Sequence, residues 1–328
     1  MTLNRRTALG LAALAATPVT AAALTPTSGR TAPPDPIETI RLWPDGSPGG
    51  EGVTVTPRVV ERSTDPAFHD RFAQYTTDPI LTVLRPARPN GASLLLIPGG
   101  GYKWAVVDKE GLDCARVFAA AGITCFVLRY RLPGDGWAAG PDAPLQDAQR
   151  AMRLVRSRAA IDGLDPARVA VLGASAGGHL AGMLTARRDP TYAPVDALDT
   201  VAFRPDLTIL LYPVATMADP FVHAGSRAEL LGAHPSTATI DAWSLEQLDW
   251  TDAPPTVLLH ALDDPAVPVD NSLGLLSALR TAGVPVEAHL FQEGGHGFGI
   301  RLIAGKPAAV WPRLVLTWAA RHGWITQP

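Results

Sequence analysis

Residues 169 to 182, Val-Ala-Val-Leu-Gly-Ala-Ser-Ala-Gly-Gly-His-Leu-Ala-Gly, constrain the fold of this chain more than any other stretch. Val169 to Leu172 is a short, apolar, β-branched run of the kind that forms a buried strand. Gly173-Ala-Ser175-Ala-Gly177 follows at once, and then small and apolar residues suited to a helix. Strand, sharp turn and helix in that order are the setting in which a G-x-S-x-G serine projects from a strained turn as a nucleophile. The two glycines have a steric job, because side chains beside so tight a turn would strike the strand or the helix. The helix N-terminus behind Ser175 offers free N–H groups to a developing oxyanion. A glycine-rich connection without chemistry is the competing reading of the five residues alone, and the flanking strand and helix argue against it.

The rest of the chain supplies an α/β setting for this unit. Strands are expected at residues 80–84, 93–97, 123–128, 169–173, 206–211, 256–260 and 286–291, and helices at 109–121, 144–159, 176–186, 269–282 and 308–322. Alternation of this kind implies a mostly parallel central sheet with helices on both faces. On the 144–159 helix, Ala148, Ala151, Met152 and Val155 form the stripe expected to face the sheet, flanked by Asp147, Arg150 and Arg153. Residues 187–204 and 212–254 carry many Pro, His, Trp and Asp residues with little periodicity, so the second reads as a loop-rich insertion before the 256–260 strand. Insertions of that length in a compact domain are usually functional. A hydrophobic content of 47% against 18% charged residues fits a globular core. A net charge of −3 gives no reason to expect nucleic acid or an anionic membrane as partner. Lysine occurs only at 103, 109 and 306, which reads as a compositional bias towards arginine and not as a functional patch.

Residues 1–30 read as an export signal with the start of a linker. Arg5 and Arg6 precede an Ala- and Leu-rich run broken by Pro18, and Ala21-Ala-Ala23 supplies a small-residue cleavage pattern. The paired arginines suggest the twin-arginine route, to the periplasm or the outside. Thr17, Pro18 and Thr20 interrupt the run well short of the ~20 apolar residues that a membrane span needs. Residues 31–37 read as a proline-rich linker and 38–328 as one catalytic domain. Cys114 and Cys125 are expected to be buried thiols, although an oxidising compartment would permit a bridge if the geometry allowed one.

A nucleophilic serine needs a base, an orienting carboxylate and donors for the oxyanion. After the 256–260 strand come Asp263 and Asp264; after the 286–291 strand comes His296, flanked by Gly294, Gly295 and Gly297 and therefore in a loop. Both stand in the chain order serine, acid, histidine. The 93–97 strand runs into Pro98-Gly99-Gly100-Gly101-Tyr102, whose Gly100 and Gly101 amides, with that of Ala176, are the candidate oxyanion donors. A flexible glycine loop is the alternative there; a phosphate loop lacks its pattern. His179 reads as a packing group, His260 and His289 lie within strands, and His223 and His234 could line a cleft from the insertion. No ligand-spaced cluster is present, so neither metal nor cofactor is expected.

Leu42-Trp43-Pro44, Pro98-Gly-Gly-Gly-Tyr102 with Asp108-Lys-Glu110-Gly111, Tyr130-Arg-Leu-Pro133, Gly173–Gly178, Ala253-Pro-Pro255 and Glu293-Gly-Gly-His296-Gly-Phe together resemble exported bacterial α/β-hydrolases described as acetylxylan-esterase-like or carbohydrate acetylesterases, relatives of the hormone-sensitive-lipase type of esterase. The resemblance spans residues 38–326. It implies the α/β-hydrolase fold and hydrolysis of short acyl esters, particularly acetyl groups on plant polysaccharide, by Ser175, Asp264 and His296 through an acyl-enzyme. Asp264 is preferred to Asp263 because Asp-Pro-Ala-Val-Pro268 matches the D-x-x-V-P ending found after the acid in such hydrolases. Proline stands where esterases of this type have the histidine of H-G-G-G. Some members are labelled xylanases, but nothing here suggests the paired carboxylates of a glycosidase. A serine peptidase or general carboxylesterase is the alternative; peptidases of this fold usually add a large N-terminal propeller, and 41 residues precede Leu42. An inactive binding module is a remote third reading, since no triad position is lost. Tyr102 or Trp104 is expected to close the acyl side, while Trp137, Trp243 and Trp250 offer flat faces for sugar rings unless the core claims them.

Overall fold

The computed structural model describes residues 31–325 apart from Pro34, so the export signal expected at residues 1–30 lies outside the described residues. The strands in chain order are β1 (Thr39–Arg41), β2 (Arg58–Glu61), β3 (Arg71–Gln74), β4 (Ile80–Leu84), β5 (Ser93–Ile97), β6 (Thr124–Arg129), β7 (Val169–Ala174), β8 (Leu207–Leu211), β9 (Thr256–Ala261) and β10 (Val286–Phe291). Eight of them form one sheet in the order β1-β4-β6-β5-β7-β8-β9-β10, and β2 and β3 form a separate hairpin. β1 and β4 are antiparallel to their neighbours, and every pairing from β6 to β10 is parallel. The helices are α1 (Asp113–Ala120), α2 (Ala143–Ser157), the short α3 (Ala159–Asp162), α4 (Ala176–Ala186), α5 (Ala224–Leu231), α6 (Thr237–Trp243), α7 (Asp270–Thr281) and α8 (Trp311–Arg321).

Period-two alternation divides the central strands between two cores. Leu95 and Ile97 of β5 and Val169 and Val171 of β7 pack with Met152, Leu180, Leu184, Leu275 and Leu279 of α2, α4 and α7. Leu94, Leu96, Ala170 and Leu172 point the other way, onto Phe118 of α1 and Trp311, Val315 and Trp318 of α8. Both faces are covered, which is why these strands read as unbroken apolar runs. Cys114 and Cys125 lie in the second core as free, buried thiols.

The structure departs from the sequence reading in three places. β1 to β3 have no counterpart among the expected strands, since each has only three or four residues, most of them exposed or partly exposed, too few to register a strand pattern. The 212–254 insertion is not only loop. It holds α5, capped by the His223 ring accepting the Ser226 N–H, and α6, capped by Ser236 accepting the Thr239 N–H. Histidine is not a usual N-cap, so the first start carries no familiar signal. The flank of α2 is also buried: Asp147, Arg150 and Arg153 are at most 5% exposed. Asp147 receives Arg131 and the Trp43 indole N–H, while Arg150 and Arg153 share Asp199.

Candidate active site

β5 and β7 lie side by side with Ile97 opposite Gly173, so the loops leaving them emerge together at the C-terminal edge of the sheet. The chain orders on either side of β5 diverge here, which is where open α/β sheets bind ligands. Ser175 follows β7 at φ 54° and ψ −122°, a costly conformation for a residue with a side chain. Its N–H donates to Leu211 O at 3.0 Å, and its carbonyl accepts the Gly178 and His179 N–H groups as α4 begins. A Cβ on Gly173 would collide with the Gly177 carbonyl, and one on Gly177 with the carbonyls of Ile97 and Pro98. The G-x-S-x-G spacing therefore lets α4 close on both strands.

Asp264 and His296 arrive from the ends of β9 and β10. Ser175 Oγ lies 2.9 Å from His296 Nε2, and His296 Nδ1 lies 2.7 Å from Asp264 Oδ2. The Asp264 side chain is fully buried. Burial pushes its carboxyl up, but hydrogen bonds from His260, His296 and the Val267 N–H outweigh that and hold it well below the usual carboxylate range. An ionised Asp264 only accepts, so the proton sits on His296 Nδ1 and Nε2 is left to accept from the serine. Asp263 turns away from this line. Its Oδ1 accepts the Gly294 and Gly295 N–H groups at 2.9 and 2.8 Å and clamps the histidine loop.

His260 is a site residue that sequence reasoning passed over. Its Nε2 faces Asp264 Oδ2 at 3.2 Å and Val267 O at 3.0 Å, both acceptors, so Nε2 carries the proton and Nδ1 accepts from Ser272 Oγ at 2.8 Å. The available signal was its setting: a polar ring in an otherwise apolar strand, four residues before the acid, must find partners inside.

The loop after β5 is held from behind. Gly100 and Gly101 have φ of 130° and 65°, values that favour glycine. The N–H groups of Lys103 and Trp104 fold back onto Gly100 O. Gly99 N–H donates to Glu110 Oε2 at 2.9 Å, and Tyr212 Oη donates to Glu110 Oε1 at 3.2 Å while accepting the Gly299 N–H at 3.1 Å. This buried link joins the Gly99–Gly101 loop to the histidine loop. Glu110 lies in a π-helical turn, Val107–Leu112, where the expected 109–121 helix starts irregularly. Among the described residues, the amides of Gly100, Gly101 and Ala176 donate to no protein group.

Ser175, His296, Gly100 and Gly101 border a cavity of about 360 Å³, with Trp104 in one wall and His223 and Glu229 of the insertion in another. Tyr102 is no part of that wall, contrary to expectation. It is 1% exposed, and its hydroxyl meets His179 Nδ1 at 2.7 Å, with His179 Nε2 donating to Trp243 O at 2.7 Å. Burial lowers His179 to about 4. Trp137, Trp243 and Trp250 offer no faces to a sugar either, being 6%, 7% and 1% exposed. The indole N–H of Trp250 serves Leu245 O, and the Trp137 ring packs under Arg131.

A family model described as alpha/beta hydrolase fold matches residues 94–300, from β5 through the serine turn to the histidine loop. The chain belongs to the α/β-hydrolase family. The hydrolase is 33% identical to an acetyl ester-xyloside bifunctional hydrolase from Caldicellulosiruptor lactoaceticus, whose crystal structure matches it with a TM-score of 0.69 over 88% of this chain and 97% of that one. It is 32% identical to an acetylxylan esterase of Xylanibacter ruminicola over 219 residues, 65% of this chain and 42% of the relative. Over 213 residues it is 34% identical to endo-1,4-beta-xylanase B of Butyrivibrio fibrisolvens, 63% of this chain and 32% of the relative. The chain thus spans less than half the length of these two curated relatives.

Proposed function

We propose that this hydrolase is a serine esterase that removes short acyl groups, acetyl above all, from plant-derived carbohydrate. The observation that carries the reading is the hydrogen-bonded run from Ser175 through His296 to a fully buried Asp264 carboxylate, beside three unclaimed amides. In this reading His296 Nε2 takes the serine proton as Oγ attacks the ester carbonyl, and Asp264 holds the tautomer and stabilises the imidazolium. The amides of Gly100, Gly101 and Ala176 receive the oxyanion. The alcohol leaves with the proton from His296, and water activated by the same ring then frees the acid from Ser175. The names of the two esterase relatives support acetylated xylan as the substrate class. Trp104, packed against Gly100 in the cavity wall, supports a short acyl group.

Rates on acetyl, butyryl and octanoyl esters of one phenol test this, beside acetylated xylo-oligosaccharides. A closed acyl side rejects surplus methylenes by overlap, more sharply than the ~1–3 kcal/mol lost when one is missing. kcat/KM is expected to fall steeply from acetyl to butyryl, to be negligible at octanoyl, and to be higher on the acetylated oligosaccharide than on a simple acetyl ester. Ser175→Ala is expected to lower kcat by a factor on the order of 10⁶. Comparable octanoyl rates overturn the short-acyl reading, and an unimpaired Ser175→Ala enzyme overturns the mechanism.

A further inference from the structure

Lysine supplies only three of the 28 basic residues, and all three stand around the reaction centre. Lys103 and Lys109 line the cavity, and Lys306 Nζ donates to Gly294 O in the histidine loop. Compositional bias explains why lysines are few. It does not explain where they are.

Of the two cavity lysines, Lys103 is exposed and Lys109 half-buried, and they share the lining with the carboxylates of Glu110 and Glu229. The Lys109 ammonium lies beside Gly297, where an added Cβ would be 3.1 Å from Nζ. The neighbouring Glu110 carboxylate is taken up by the Gly99 N–H and the Tyr212 hydroxyl. Lys103 Nζ rests over the Trp104 ring, 5.7 Å from its centroid. Among the described residues neither lysine forms an ion pair, whereas Arg62 of the same cavity is paired with Asp70 at 2.9 Å. Glu229 belongs to the wall built by the insertion and approaches the Gly134–Asp135 turn, where burial and then the Glu229 charge push Asp135 up to about 6. His223 adds a further donor: its Nδ1 accepts the Ser226 N–H, so Nε2 carries the proton.

An ammonium at a cavity mouth that no protein carboxylate holds in an ion pair is free to meet a ligand anion, with a modest gain set by its exposure. The transition-state oxyanion has amides of its own, and an acetyl group is too small to carry a charge, so the charge belongs to the alcohol. We infer that the cavity takes acetyl esters whose alcohol carries a carboxylate, such as an acetylated acidic sugar, with that carboxylate against Lys103 and Lys109. The inference rests on the esterase reading and narrows its substrate class.

The test compares kcat/KM for 4-(acetoxymethyl)benzoate and its neutral isostere 4-(acetoxymethyl)benzamide, in which a methylene insulates the ester from the para group. One exposed and one half-buried cation together are worth about tenfold in favour of the carboxylate at low salt. The preference is expected to shrink to about twofold near 0.5 M NaCl, where the Debye length is only a few ångströms. It is expected to approach unity in Lys103→Gln/Lys109→Gln. Equal or inverted preference in the wild-type enzyme, with the benzamide still hydrolysed, overturns the inference and leaves the esterase reading standing. Hydrolysis of neither ester overturns both. A preference that survives the double substitution or high salt removes the lysines as its source; the salt series on the unaltered protein reads this even if the variant folds poorly.

Discussion

The Gly99–Gly101 half of the candidate site and its Asp264–His296 half are each backed by a fully buried histidine, and the two histidines have different partners. Behind the Gly99–Gly101 loop, His179 meets only neutral partners, the Tyr102 hydroxyl and the Trp243 carbonyl. Behind Asp264, the carboxylate that faces His296, His260 gives it its Nε2–H. Burial is the same in both, so burial does not decide the role. The charge of the partner does: a neutral pair of acceptor and donor makes a spacer, and a carboxylate makes the ring part of the charged line. The loop clamps differ in the same way, for Glu110 is 3% exposed while Asp263 is open to solvent.

The largest expected effect falls on the charged line. Asp264→Asn is expected to cost on the order of 10⁴ in kcat, because the imidazole loses its tautomer and its counter-charge. Steady-state kinetics on an acetyl ester reads this, and a loss under tenfold would break the distinction between the halves.

His179 sharpens the comparison through stability. Its value of about 4 in the folded chain lies below the ordinary 6.5. Between these values the unfolded chain binds a proton that the folded one does not. Stability is therefore full above about pH 6.5 and declines as pH falls towards 4, by on the order of 3 kcal/mol. Denaturant midpoints across this range should show the decline, flattened in His179→Gln; an identical acid slope in that variant would mean that other groups set it.

The clamps give the smallest effects. Glu110→Ala leaves the Gly99 N–H and the Tyr212 hydroxyl unpaired in the interior, about 1–3 kcal/mol for each group, and frees the oxyanion loop. A fall in kcat of about 10² is expected with KM less affected. Asp263→Asn keeps an oxygen to accept the same two N–H groups, and less than about tenfold is expected. If Asp263→Asn proves the more damaging, exposure is a poor guide to what a clamp is worth.

Much of this architecture is legible in the residues themselves. The seven expected strands correspond to β4 to β10, with ends shifted by at most one residue. Ser175, the acid loop and His296 follow from motif order, and the structure brings them within hydrogen-bond distance. Legibility fails where a side chain's fate depends on distant chain. Asp147, Arg150 and Arg153 look like the wet edge of an amphipathic helix, yet their partners are Trp43, Arg131, Asp196 and Asp199, up to 104 residues away. Tyr102 and the three tryptophans look like binding surface for the same reason: an aromatic ring fits a wall or a core equally well until its neighbours are known.

Local chemistry in the chain is enough to specify the strand–turn–helix unit, the glycines that permit it and the order of the reacting groups. Those features depend on sterics within a few residues and on alternation along a strand, and both are written into neighbouring positions. Packing decides the rest. That His260 shares Asp264 with His296, that Glu110 ties one loop to the other, and that Tyr102 turns inward all depend on groups brought together from remote segments. A buried polar atom must be satisfied by whatever the fold places beside it, and that neighbour is set by three-dimensional packing.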